Sequence, residues 1–340
     1  MILAGIDEAG YGPLLGPLVV GCCALELLPD PPAAEPVPCL WKQLSKVLSR
    51  NRSKTGKKLH VNDSKAVYSP STGLRELERS ILSFAAASER TSASFDEFLN
   101  HVCPDALADL AEHPWYGAGA GESFPLDQDA MSVNLFANGL RAEMERAAVN
   151  LVHLRAQVVP ERRLNLLMDQ TRNKASALFS IAARHLDHLL KTYGGQNLII
   201  FCDRQGGREH YGQLLRLMWE DWPLEIVQEK DGYAEYVLQH PRPARPQDSA
   251  PRTQHTSPPP VRIIFREKAE SQSMSVALAS MLSKYLREGL MRRFNAFWQT
   301  HLPEVTPTAG YYNDGLRFLK DIDIKRRELN ILDQHLVRSR

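Results

Sequence analysis

The stretch Gly5-Ile6-Asp7-Glu8-Ala9-Gly10-Tyr11-Gly12-Pro13-Leu14-Leu15-Gly16-Pro17-Leu18-Val19 decides how this chain is read. The residues from Met1 to Ile6 form a short apolar run that ends on Asp7, the pattern of a buried strand. Ala9 to Pro13 is a glycine- and proline-rich turn, and the apolar run from Leu18 to Leu25 pairs back as a hairpin strand. Two carboxylates therefore stand at the end of a strand, where the core is rigid and the loop above it is free to vary.

Moving outward, two more strands finish close to an acid. A helix from about Lys174 to Tyr193 carries Leu178, Phe179, Ala182, Leu186 and Leu189 on one face and stops at Gly194-Gly195. It feeds the strand Asn197 to Cys202, which ends at Asp203. The strand Val261 to Phe265 is followed by Glu270, and a long helix then runs from near Ser271 to about Trp298. Strands alternating with helices predict an α/β fold, a mixed sheet flanked by helices, with a C-terminal helical part. Carboxylates gathered from three strand ends repel one another unless a cation lies between them. An all-oxygen set suits Mg²⁺ or Mn²⁺, and two such ions about 3.5–4 Å apart serve phosphodiester cleavage. Acidic residues also end strands simply as turn formers, so spacing alone leaves both readings open. Glu267 competes with Glu270, and Asp169 and Asp231 with Asp203, although neither of the last two follows so clean a strand.

Motifs narrow the choice. The opening stretch resembles the ribonuclease HII signature G-x-D-E-A-G-R-G-P-x-x-G-P. Asn62-Asp63-Ser64-Lys65 resembles the family's N-D-S-K, and Ala279-Ser280-Met281-Leu282-Ser283-Lys284 with Arg287 and Met291 resembles its A-S-I-L-A-K-x-x-R helix. Gly310-Tyr311 is similar to its late glycine-tyrosine pair. The resemblance implies a ribonuclease H-like fold and a two-metal endonuclease that cuts the RNA strand of RNA–DNA hybrids, or at ribonucleotides embedded in a DNA duplex. It implies Asp7, Glu8, Asp203 and Glu270 as catalytic metal ligands for Mg²⁺ or Mn²⁺. It implies Gly10, Tyr11, Gly12, Asn62, Ser64, Lys65 and Tyr311 as substrate contacts, and a monomer.

Two positions depart from the pattern. Glu270 stands where the family has an aspartate, and Tyr11 where it has an arginine. A phenol exchanges the guanidinium's phosphate contact for stacking and one hydrogen bond, or else it packs as a turn aromatic on the second strand. Arg204, Arg208 and His210 follow Asp203 and are candidate replacements for the missing arginine; Tyr312 rivals Tyr311. Asp63 reads as a turn cap. A nucleic-acid-binding protein with weakened catalysis, or a nuclease of altered substrate choice, are the competing functions.

The formal net charge of +1 leaves phosphate binding to a local patch rather than a global field. Five cysteines without metal-ligand spacing predict reduced, buried thiols and no zinc site. The apolar run from Leu14 to Leu28 is interrupted by Pro17 and lacks a basic flank, so no membrane segment and a cytoplasmic location are expected.

The remaining chain is expected to belong to one domain with insertions at about 84–135 and 204–260. Helical patterning covers Thr72 to about Leu110 and about Val133 to Val149, Pro114 to Ser123 reads as an exposed loop, and Leu151 to Met168 as strand pairs around Pro160. Pro29 to Pro38, with five prolines, and His240 to Pro260, with seven, read as a surface loop and a flexible linker.

Overall fold

A computed structural model of the protein describes residues 1–30, 37–119, 121–241 and 258–339. The proline-rich expectations for 29–38 and 240–260 fall mostly outside these described residues.

Among the described residues nine strands form: β1 (Ile2–Ala9), β2 (Leu18–Leu27), β3 (Leu48–Ser49), β4 (Leu59–His60), β5 (Val149–Val159), β6 (Leu198–Asp203), β7 (Leu224–Lys230), β8 (Tyr233–Leu238) and β9 (Val261–Arg266). Seven build one sheet in the order β5-β2-β1-β6-β9-β8-β7, and β3 and β4 form a separate pair. β1 pairs antiparallel with β2 and parallel with β6, and β6 pairs parallel with β9. The central strands are apolar on both sides because helices cover both faces. Ile2, Ala4 and Ile6 join the core beneath the Lys174–Tyr193 helix, while Met1 and Leu3 join the core under the Met274–His301 helix.

Two glycines let the Met274–His301 helix lie directly on the sheet backbone. A Cβ at Gly5 would stand 2.1 Å from the Val276 nitrogen, and one at Gly21 would stand 2.5 Å from the Ala279 carbonyl. This close approach brings Ser280 and Ser283 to the end of β1, and the Ser283 hydroxyl donates to the Asp7 carbonyl at 3.1 Å.

The 204–260 segment adds the Gly212–Met218 helix and the β7–β8 hairpin, which extends the sheet at its far edge. The helical reading of 72–110 resolves into Arg75–Ala87, Phe95–Val102 and Leu107–Ala111. Two expectations are corrected. Pro114–Tyr116 is a 3₁₀ turn whose Trp115 and Tyr116 are buried, because their rings pack on Phe294 and His113 rather than facing water. The segment around Pro160 is one strand followed by the Glu161–Thr171 helix; proline's missing N–H is harmless at a helix start.

Candidate active site

Strand pairing assembles the acidic residues. Parallel register sets Ile6 beside Cys202, so Asp7 and Asp203 leave the sheet at the same end. Asp203 pairs with Arg266 at the end of β9, and the chain then turns through Lys268 into the Ala269–Ser271 3₁₀ turn that carries Glu270. The Ala269 amide donates to the Asp203 carboxylate at 3.1 Å, tying this turn to β6. Asp63 caps the Ser64–Val67 helix by accepting from the Lys65 amide at 3.1 Å, the capping role its motif position predicts. Ser64 is held by Ser280, whose hydroxyl donates to the Ser64 hydroxyl at 3.1 Å. Asn62 donates from its amide to the Arg50 carbonyl at 2.9 Å, a positioning contact for the turn.

The electrostatics are those of a crowded anionic site. Burial, then Glu8 and Asp203, push the Asp7 carboxyl well above the usual range, against a hydrogen bond from Ser280. Burial and the charge of Asp203 raise Glu8 to about 7, with Lys65 opposing. Asp203 is raised chiefly by burial, against the Ala269 and Arg204 amides. Glu270 is raised by burial and, more weakly, by Asp203 and Asp63. Glu8 Oε2 is buried with no hydrogen-bond partner among the described residues. An orphaned carboxylate oxygen among like charges is a site that fits a hard cation, because carboxylate oxygens are the donors Mg²⁺ and Mn²⁺ prefer. These carboxylates are electrostatic neighbours rather than a closed cage. Among the described residues, the sole His/Cys/Asp/Glu trio with ligand atoms all within 4.8 Å of one another is Cys22, His153 and His185.

Glu267, the rival of Glu270, is exposed and paired with Arg204. Arg204 also meets Asp231 at 3.4 Å and Glu209 at 2.9 Å. Its guanidinium is thus shared among three carboxylates, which a phosphate would have to displace. His210 is likewise paired with Glu229 at 2.9 Å. Arg208 donates to the Ser176 hydroxyl at 3.2 Å. Asp169 is exposed on the Glu161–Thr171 helix, beside a cavity formed with Asn165 and Arg338.

The glycine loop is braced from below. Gly10 adopts φ +89°, where only glycine is unstrained, and a Cβ there would meet Arg287 Nε at 2.6 Å. The Gly10 carbonyl accepts from Arg338 Nη1 at 2.6 Å, and the Gly16 amide donates to Glu161 at 2.9 Å. Gly310 closes the other side, its carbonyl accepting from the Leu14 and Leu15 amides at 2.7 and 3.1 Å. Around Gly12 no other described residue lies within 4 Å of a Cβ position, so its backbone is open on that side. Tyr11 packs against the core cluster that includes Leu18 and Val20 of β2 and also reaches the loop after β6: its hydroxyl would lie 2.8 Å from a Cβ at Gly206, and the Lys174 ammonium sits 4.9 Å from its ring. Tyr311 and Tyr312 are both exposed; Tyr311 stands beside Arg287, whose guanidinium is 5.9 Å from its ring. Sequence reading missed the bracing by Glu161 and Arg338, for which no local pattern exists.

No protein-family model matches the chain, and neither does the sequence of any curated protein. Solved structures do resemble it. Ribonuclease HII of Archaeoglobus fulgidus, solved with PCNA, is 14% identical, covers 100% of this chain and 95% of its own, and has a TM-score of 0.40. Ribonuclease H2 of Pyrococcus horikoshii is 12% identical over 99% of this chain and 92% of its own, with a TM-score of 0.36. Bst-RNase HIII in complex with Mn²⁺ is 12% identical over 99% and 66%, with a TM-score of 0.39. All three are ribonucleases H. At such identity the likeness concerns fold alone, and at TM-scores of 0.40 or less it carries no functional argument.

Among the described residues, no helix is long and apolar enough to cross a membrane.

Proposed function

We propose that this chain is a divalent-metal-dependent endonuclease of the ribonuclease H type, acting on the RNA strand of RNA–DNA hybrids or at ribonucleotides embedded in duplex DNA. One observation carries the reading. Four stretches far apart in sequence, around Asp7, Asp63, Asp203 and Glu270, meet at one end of the sheet beside an open glycine backbone.

Asp7, Glu8, Asp203 and Glu270 would hold Mg²⁺ or Mn²⁺. Bound there, two ions would ionise an attacking water and stabilise the departing oxygen. The protein's own groups do the rest. Lys65, exposed and close enough to act on Glu8, Asp203 and Glu270, contributes the positive charge that draws a phosphate toward the cluster. Gly10 and Gly12 let the backbone approach a ribose 2′-hydroxyl, the group that separates RNA from DNA. Asn62 and Ser64 set the turn that presents Lys65, and Tyr311 offers an exposed ring for stacking on sugar or base. Glu270 is one methylene longer than an aspartate and would reach toward the cluster from the Ala269–Ser271 turn after β9. The whole chain acts as one domain and as a monomer, with 84–135 and 204–260 as insertions around that unit.

The test is a panel of labelled duplexes (all DNA, RNA–DNA hybrid, single embedded ribonucleotide) incubated with each metal. Cleavage of the hybrid or of the embedded ribonucleotide, sparing all-DNA duplex and leaving a 3′-hydroxyl, is expected. Binding without cleavage under both metals would leave only a nucleic-acid-binding role.

A further inference from the structure

A second donor set lies on the sheet face covered by the Lys174–Tyr193 helix. β2 contributes Cys22, β5 contributes His153 and the helix contributes His185, all buried, with ligand atoms within 4.8 Å of one another. Cys22 and Cys23 are neighbours in sequence but face opposite cores, so only Cys22 is on the histidine side. It pairs with Ile6, which sets this group one residue along the ladder from Asp7, on the other side of the sheet.

The two buried histidines are unusual occupants of an apolar core. His153 is 6% exposed, and its Nε2 is buried with no hydrogen-bond partner among the described residues. His185 Nε2 lies 3.0 Å from the Val20 carbonyl. A carbonyl only accepts, so the proton of the neutral ring sits on Nε2 and Nδ1 keeps its lone pair. Burial keeps both rings neutral, pushing His153 down to about 3 and His185 to about 4. A neutral imidazole whose other nitrogen donates to a carbonyl is how proteins present histidine to a metal. His188 is exposed and stacks on His153 with ring centroids 4.6 Å apart, which places a further imidazole between the group and solvent.

We propose that Cys22, His153 and His185 form a binding site for a borderline-soft divalent cation of the Zn²⁺ class, a structural clip joining β2, β5 and the Lys174–Tyr193 helix. One sulfur and two imidazole nitrogens are the donors such an ion selects, whereas the carboxylate cluster selects hard ions. Donor atoms of a tetrahedral site stand about 3.3–3.8 Å apart, within reach of small side-chain shifts here. Binding forms one metal–sulfur and two metal–nitrogen bonds and releases the Cys22 thiol proton to solvent. The fourth position is left for water or, after a rotamer change, for His188.

The test uses the full chain, freed of metal by chelation, titrated with Co²⁺ as a spectroscopic probe and then with Zn²⁺. One equivalent of Co²⁺ should produce a near-ultraviolet thiolate-to-cobalt band with tetrahedral visible bands, and Zn²⁺ should displace it. Ions held by the carboxylates alone give no thiolate band, so the two sites are told apart. Cys22→Ala should abolish the band while circular dichroism stays that of the folded parent. Should that variant fail to fold, His153→Ala is the substitute and should lower Co²⁺ affinity at least tenfold. Absence of the thiolate band in the parent, or its persistence in folded Cys22→Ala, would overturn the proposal.

Discussion

Glu161 and Asp7 are both buried carboxylates, one beneath the glycine loop and one beside it, and the fold serves them in opposite ways. Glu161 accepts from the Tyr116 hydroxyl and the Gly16 amide, each at 2.9 Å, with the Arg338 guanidinium nearby. Asp7 receives its own neighbour's amide, from Glu8, at 2.8 Å, but it faces the charges of Glu8 and Asp203. One carboxylate is a strut whose donors come from the protein. The other belongs to a surplus of negative charge that a cation would neutralise. Burial of an acid does not by itself mark a site; like charges beside it, left without a counter-charge, do.

The largest expected effect breaks the Asp7 side. Asp7→Asn should reduce hybrid cleavage by more than about 100-fold, beyond what loss of a supporting contact around a metal costs. The same substitution should raise stability in chelator by on the order of 1 kcal/mol, since it removes like-charge repulsion, as read by urea denaturation. A variant that cleaves like the parent, or is less stable without metal, would remove the contrast between the two carboxylates.

The Glu161 side should respond in the reverse sense. Glu161→Ala leaves the Tyr116 hydroxyl and the Gly16 amide without their acceptor and the Arg338 guanidinium without its nearby counter-charge, and should cost about 2–4 kcal/mol. Denaturation midpoints of parent and variant, at matched slope, give the value. A loss below about 0.5 kcal/mol would mean that the loop is braced by other contacts.

A pH series sharpens the same point. Burial raises Glu161 from its ordinary 4.5 to about 7 in the fold, so the folded state holds this proton more tightly than the unfolded chain. Its contribution is present below pH 4.5 and is lost as pH rises through 7, so stability falls across that window. Glu161→Gln keeps an acceptor but cannot titrate, and its stability profile should be flatter between those values by about 1–3 kcal/mol. Equal slopes in parent and variant would place the titration elsewhere.

The smallest effect concerns the arginines after Asp203. Arg204 is held by Glu267, Asp231 and Glu209, so Arg204→Ala should change hybrid affinity less than about twofold and leave its salt dependence intact. A shallower salt slope in that variant would show that substrate displaces those carboxylates.

Much of the architecture was legible from local pattern. The hairpin around the first glycine turn, the Lys174–Tyr193 helix and the strands ending near Asp203 and Glu270 each advertise themselves through periodicity and turn residues. Two aromatic-bearing or proline-bearing stretches, 114–116 and 151–168, misled for the same reason: glycine and proline mark a break in pattern without saying whether the flanking side chains go in or out.

By itself, the sequence determined the motif order, the acidic character of the site and the glycines that a left-handed loop and a close helix require. These are properties of single residues and near neighbours. Only the tertiary structure decided that Glu267 pairs with Arg204 across 63 residues, while the Glu270 carboxyl feels the charge of Asp203. Only it brought Arg338 beneath Gly10, and Cys22, His153 and His185 into one pocket of donors. Pairing over such separations is settled by sheet register and by competition among side chains for partners. Neither leaves a trace in the periodicity of any one segment.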